Sequence, residues 1–432
     1  MIPTLPPPAG LTDPSLLIAF VLLLVAPLVI AGISLINTGL GRSRSAAQAL
    51  LGNLAIVAAT AVVFALIGAA FTGSLPGAAH TLQLAGKPWN WLGAGPLLLG
   101  GFGSAPASSQ LAVLFEFLAV ALAAIIPWGS GADRWQIIPG CAAAVLISAV
   151  LFPLFAHWVW GGGWLAQLGV NFSLGAGFLD GGGAASVHVL GGLCALAVIW
   201  ITGPRKGKFP KGGFATALPG HNAVYVLFGG LIALVGGMAW NIAGAVLWLH
   251  APLAALPVTA VNTLLSASGA LAATFAITRI RFGKPDASLC ANGGLAGLVA
   301  SSACAGLISP GAALFVGLVT GVVTPLLVEV LELALALDDP SGAITVHLVG
   351  GLLGLLAVGV FSPRAGQLTA QLVGIAALLG LVLPLAYLLF TLLNRLVPFR
   401  VDPDGERIGM DLHELGGGAY PEFVIHRDES YR

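Results

Sequence analysis

The sequence predicts an all-α polytopic membrane protein with eleven transmembrane helices. The first ten form an inverted 5+5 repeat, a long eleventh follows, and the N-terminus lies outside with the C-terminus inside. Three observations carry this expectation. Of 432 residues, 58% are apolar and only 8% charged, far below the ~25% that solvates an ordinary globule. Apolar stretches of about 20 residues, long enough to cross a bilayer, recur along the chain. One short polar motif occurs twice, in segments an odd number of spans apart. The 60 glycines fit the same picture, because small residues let membrane helices approach closely. With 17 Lys+Arg against 17 Asp+Glu, no basic excess exists to neutralise phosphates, so nucleic acid is excluded as a partner.

In chain order the apolar windows fall at 15–38, 47–71, 108–131, 136–158, 184–202, 221–249, 254–278, 288–308, 311–335, 341–361 and 367–397. The opening MIPTLPPPAGLTDPS has no basic residue, so the run at 15–38 reads as a first span rather than a cleaved leader. The turns between windows hold nearly all the charge, and its sign sets the orientation. With the N-terminus outside, the inner turns hold Arg42, Arg44, Arg134, Arg205, Lys206, Lys208, Lys211, Arg279, Arg281 and Lys284, followed by Arg395 and Arg400. The outer turns hold Lys87 and Arg364. Residues 1–397 therefore read as a membrane domain and 398–432 as a cytoplasmic tail. The four cysteines, Cys141, Cys194, Cys290 and Cys304, lack paired spacing and sit in apolar runs, which marks them as small buried residues.

Residues 180–196 read DGGGAASVHVLGGLCAL and residues 339–355 read DPSGAITVHLVGGLLGL, with nine of seventeen positions identical. The copies open the fifth and tenth spans, so they run through the bilayer in opposite directions, and sites in such repeats lie near the midplane. Asp180 and Asp339 stand at helix starts, where a carboxylate can cap orphan N–H groups. His188 and His347 lie eight residues on, about 12 Å deeper. The pseudo-two-fold would bring their rings face to face. Ionisable groups at that depth are expensive and mark function. Two histidines alone make a poor zinc site. A neutral pair instead offers a donor and an acceptor and can pass a proton, which implies a small, polar, protonatable cargo.

At this point the chain resembles the ammonium transporter family (Amt and Mep, with the Rhesus proteins as distant relatives). The resemblance rests on VWGGG at 159–163, Asp-x7-His at 180–188, GKPDASLCANGGLAGLVASSACAGLISPGAALFVGLVTGV at 283–322, DDPSGAITVH at 338–347 and RIGMDLHELGGGAYPEF at 407–423. It implies a homotrimer in the cytoplasmic (inner) membrane among lipid, with one narrow pore per subunit. The cargo would be ammonium or ammonia, methylammonium included, moved without a cofactor and without enzymatic chemistry. His188 and His347 match the twin pore histidines, Asp180 the acidic residue of the outer mouth, and Trp160 the outer tryptophan whose ring face can hold a cation. Gly409, Asp411 and Gly416 to Gly418 look like the tail segment at the inner pore mouth, where a PII signalling protein would dock, with Lys206 and Lys211 nearby.

The sequence departs from that family at its outer filter. Alignment on Asn241 puts Trp240 where a gate phenyl ring belongs and Gly244 where a serine belongs. Alignment on Arg134 puts Ala119 at the other ring, with Phe115 and Phe117 as nearby candidates. The stretch NFSLGAG at 171–177 lengthens the link to Asp180. Glu116 is an additional carboxylate, read either as a snorkelling or hydrogen-bonded interface residue or as a source of negative potential at the entrance. An ammonium sensor that conducts poorly is the alternative that the altered gate motivates. A Rhesus-like channel for neutral gas is a third, disfavoured by Trp160 and the tail.

Overall fold

A computed structural model describes residues 13–211, 213 and 215–420. The readings of residues 1–12 as a leaderless outer end, and of 421–423 as the close of the tail motif, fall outside that range. Eleven helices among the described residues are long and apolar enough to span a membrane. They are α1 Pro14–Leu40, α2 Ser43–Thr72, α3 Ala107–Ser130, α4 Ile137–Val159, α5 Ala184–Thr202 and α6 Ala223–Leu249. The rest are α7 Leu253–Phe282, α8 Ala287–Cys304, α9 Pro310–Leu333, α10 Ile344–Phe361 and α11 Gln367–Leu396. In lipid each helix satisfies its own backbone, which is why uniformly apolar Ala, Leu, Val and Ile runs become helices whatever their intrinsic propensity. Their starts are marked locally. Asn222, Asp286 and Ser309 accept from Tyr225 N, Leu289 N and Ala312 N at the heads of α6, α8 and α9.

α3 and α5 lie deepest in the bundle, while α1, α2, α6 and α11 show Leu, Val and Phe side chains outward, as lipid-facing helices do. Glycine sets the close crossings. A side chain at Gly32 of α1 would meet Ala233 N and Gly229 O of α6 at 2.5 Å. At the centre the repeat shows itself in matched glycines. Gly192 of α5 leaves room for Leu348 of α10, and Gly351 of α10 for Ala184 and Val189 of α5. Gly191 packs on Ala123 of α3, and Gly350 on Ala296 of α8.

The two faces of the bundle differ. One carries an antiparallel hairpin, β1 Ala78–Leu84 and β2 Lys87–Ala94, which the sequence reading did not anticipate. Its turn residues Ala85 and Gly86 both have positive φ, +49° and +71°, the backbone of a tight two-residue hairpin. β2 brings Trp89 and Trp91 against Trp158, Trp164 and Phe172. The opposite face holds a buried ion lattice. Arg205 pairs with Asp133 at 3.0 Å and Asp338 at 2.9 Å, with Arg134 3.7 Å from Asp338 and Arg42 3.7 Å from Asp133. Arg134, Arg205 and Lys208 are therefore buried, not loose topological charges of solvated turns. Burial lowers the Arg134 guanidinium to about 10 against the opposing pull of Asp338.

The tail folds back onto this face. Asp411 accepts from Gln48 N at 2.8 Å, Ala47 N at 3.3 Å and Ala419 N at 3.2 Å. Glu414 accepts from Gln48 Nε2 at 2.8 Å and Ile137 N at 3.0 Å. Gly409 has φ +105° and leaves no room for a side chain against Arg44. Gly416 to Gly418 are exposed, so the glycine triplet is not itself a contact.

Candidate functional site

α5 and α10 begin on opposite faces with the same local device. Asp180 Oδ2 accepts from Ala185 N at 3.1 Å, Ser186 N at 2.9 Å and Ser186 Oγ at 2.9 Å. Asp339 Oδ2 accepts from Ile344 N at 2.8 Å, and its Oδ1 from Ser130 Oγ at 2.8 Å. Three residues after each aspartate stands a glycine with positive φ, Gly183 at +79° and Gly342 at +73°, which turns the chain into the helix. Both helices then open with a wide π-turn, Ala184–Val189 and Ile344–Val349, and each π-turn contains its histidine. Such turns are rare and gather at functional positions.

The structure brings the two histidines together. His188 Nδ1 and His347 Nδ1 are 3.1 Å apart, with ring planes within 11°. Their side chains are 3% and 4% exposed. The helices that carry them pack closely through glycine, Gly192 against Leu348 and Gly351 against Ala184 and Val189. Among the described residues no group of three or more His, Cys, Asp or Glu side chains could hold a metal.

Toward the hairpin face lies an aromatic block. Phe115 and Trp240 lie 4.1 Å apart at 32°. Phe115 also meets Trp160 edge-on at 5.5 Å and Trp248 at 5.7 Å. Trp160 and Trp248 are parallel, 4.9 Å apart at 6°. Trp160 Nε1 donates to Asp180 O at 2.8 Å, and Trp240 Nε1 donates to Gly182 O at 2.6 Å. These backbone anchors tie the block to the turn that launches α5. The approach is close because Gly244 has no side chain; a Cβ there would collide with Gly181 O.

Several expected roles change once the side chains are placed. Of the gate candidates, Phe115 faces Trp240, whereas Phe117 turns away and packs on Phe64 at 5.0 Å. Ala119 is buried in α3 and its methyl is too short to plug anything. Asp180 is 2% exposed and engaged through Oδ2 as a helix cap, and its Oδ1 is buried with no hydrogen-bond partner. Glu116 follows the hydrogen-bonded reading and does not snorkel. It is fully buried, accepting from Thr72 Oγ1 at 2.9 Å and Ser74 Oγ at 2.6 Å. Trp248 escaped the sequence reading, although its spacing of four and eight residues from Gly244 and Trp240 places all three on one helix face. His157 escaped it too. It is fully buried and joins Thr72 O at 3.1 Å to Asn90 Oδ1 at 2.9 Å, fixing β2 to α2 and α4.

Residues 16–420 match the sequence profile of the Ammonium Transporter Family. The chain is similar to the ammonium transporter Amt2 of Archaeoglobus fulgidus, 30% identical over 96% of this chain and 91% of that one. It is also similar to the ammonium transporter Amt2 of Haloferax mediterranei, 31% identical over 91% and 87%. Among solved structures, one called Sensor Amt Protein superposes with a TM-score of 0.83 at 26% identity, covering 93% of this chain and 98% of that one. Candida albicans Mep2 shares the fold, with a TM-score of 0.77 at 22% identity over 96% and 92%.

Proposed function

The chain belongs to the ammonium transporter family, and from that premise we propose that it carries ammonium or ammonia across the cytoplasmic membrane along a path past His188 and His347. The observation that supports this reading is the 3.1 Å contact between the two Nδ1 atoms. One proton fits between those nitrogens, so one ring donates and the other accepts. The rings then hold opposite tautomers, leaving one Nε2 bare and the other as N–H. Such a pair meets a molecule that has both a lone pair and N–H donors, which is the hydrogen-bonding pattern of ammonia.

A bare ammonium ion in so apolar a passage is prohibitively costly. Ammonium therefore gathers at the aromatic end, near Trp160 and Trp240, and gives up a proton before passing the histidines. The proton follows along the imidazoles or stays outside. Asp180 and Asp339 orient the two helices, and Gly244 lets the aromatic block seat on the α5 turn. The face with the ion lattice is the cytoplasmic one, as the excess of Lys and Arg requires. Three copies assemble with one path each, and the tail at 398–432 is where a PII protein acts. A second reading, an ammonium sensor with little conduction, is favoured by one observation: the aromatic block is packed shut above the histidines.

Uptake of methylammonium and ammonium-driven currents in proteoliposomes test the reading. Wild type should conduct, and His188→Ala and His347→Ala should each change flux or its coupling to charge. Absence of flux in wild type, or unaltered flux in both variants, would defeat it. Binding without flux selects the sensor.

A further inference from the structure

We infer that Trp248 is a lid on the cation-binding face of Trp160 and that it sets this chain's affinity for ammonium; the inference rests on ammonium being the cargo. An indole attracts a cation over its ring face, within about 6 Å of the centroid. In this structure one face of Trp160 is taken by Trp248, parallel at 6° with its ring centre 4.9 Å away, while Phe115 and Phe152 meet the ring edge-on at 5.5 and 6.3 Å. On the stacked face cation and second indole are therefore alternatives: ammonium sits there only when Trp248 has swung off.

The three indoles of the block are not held alike. Trp160 is tethered through Nε1 to Asp180 O, and Trp240 through Nε1 to Gly182 O. The Nε1 of Trp248 is shielded and has no hydrogen-bond partner. Trp248 is held by apolar packing and ring contacts, to Trp160 and edge-on to Phe115, without a polar anchor. It stands in the last turn of α6, two residues before His250, whose φ of +50° ends the helix. Position and lack of a tether make it the ring that moves. Gly244, one turn earlier, carries no hydroxyl to help hold a cation, and its space is filled by the backbone of Gly181. Recruitment at this end thus depends on the uncovered face of Trp160, and occupancy of that face depends on Trp248.

An aromatic pair of this kind is worth about 0.5–1.5 kcal/mol beyond its area, which corresponds to roughly a threefold to tenfold change in a dissociation constant. The test is calorimetric titration of the purified full-length protein with ammonium chloride, with sodium chloride as the blank. It compares wild type, Trp248→Leu, Trp248→Phe, Trp160→Leu and the double Trp160→Leu/Trp248→Leu. Trp248→Leu should tighten binding about threefold to tenfold. Trp248→Phe, which keeps a stacked ring, should stay near wild type. The double variant should bind no better than Trp160→Leu alone. Unchanged, weakened or undetectable binding in Trp248→Leu overturns the lid, as does an equal gain in the Trp160→Leu background. Vesicle flux on the same proteins reads separately whether the chain transports, so absence of wild-type flux together with tightened binding in Trp248→Leu would sink the transport reading and leave the lid standing.

Discussion

Replacing Arg205 with methionine isolates the strongest electrostatic statement in the structure. Arg205 Nε and Nη2 donate to Asp338 at 3.0 and 2.9 Å, and Nη1 donates to Asp133 at 3.0 Å, with all three side chains buried. Methionine keeps much of the stem volume and removes the charge. It leaves two buried carboxylates whose remaining cations, Arg134 and Arg42, stand at 3.7 Å. Breaking a buried pair by deleting one partner costs about 3–5 kcal/mol.

The pH dependence separates this cause from simple repacking. Burial raises the Asp338 carboxyl, but the bonds from Arg205 and the charges of Arg134 and Arg205 outweigh it and hold it below its ordinary value. A depressed carboxylate stabilises the fold fully above its unfolded value of about 3.9 and loses that contribution only as pH falls through the lower folded value. Wild type should accordingly feel nothing from this group between pH 5 and 8. In Arg205→Met, burial prevails and the Asp338 carboxyl moves above its unfolded value. The deficit is then largest at high pH and shrinks as the solution is acidified and the carboxyl takes up a proton. Chemical denaturation in mixed micelles, followed by tryptophan emission at pH 8 and pH 5, measures both quantities. A deficit under about 1 kcal/mol, or one that is equal at the two pH values, refutes the reasoning.

Substitutions at two further positions probe the aromatic end. Gly244→Ser restores the residue type that the family resemblance places there, yet its Cβ collides with Gly181 O; overpacking of this kind costs about 1–3 kcal/mol. It should lower the unfolding midpoint and disturb the Trp240–Gly182 bond without tightening ammonium binding, and tighter binding at full stability would contradict the packing seen here. Asp180→Ala should cost about 2–3 kcal/mol, because hydrogen bonds to an ionised cap are lost, while Asp180→Asn retains an acceptor and should cost about half as much. If Asp180→Asn abolishes ammonium binding with the fold intact, the carboxylate acts on the cation through its charge and not only as a cap.

Much of this architecture is legible in the sequence because a membrane leaves the chain few options. An apolar run of sufficient length must become a helix, so the eleven windows and the eleven helices agree. The histidine pair is legible for a different reason. A repeat with an odd offset forces two copies of one motif to meet across a pseudo-two-fold, and the shared spacing sets their depth. The aromatic block follows no such rule. Phe115 and Ala119 share one face of α3 and Phe117 stands about 200° away around the helix, and the sequence alone does not say which of those faces meets Trp240. Trp248 carries one sequence signal, its spacing from Trp240 and Gly244 on one helix face; its stacking on Trp160 comes only from the structure. The hairpin lies between two apolar windows, in a segment whose strands are too short and too polar to resemble a span. Glu116 and His157 each look isolated along the chain, and their partners Ser74 and Asn90 come from the segment that carries the hairpin.

The ion lattice also bears on how such a chain is built in a cell. Asp133, Arg205 and Asp338 come from three different turns, and Arg400 reaches Glu406 only beyond the end of α11. Synthesis delivers these partners far apart in time: Arg42 and Asp133 come first, Arg205 next, and Asp338 only after α9. Until Asp338 is made, Arg42, Arg134 and Arg205 share the single carboxylate of Asp133, and the surplus positive charge favours water and resists sinking against the bundle. Closure of the lattice thus waits for the turn after α9, and a product truncated before it keeps those charges displayed to the cell's degradation machinery.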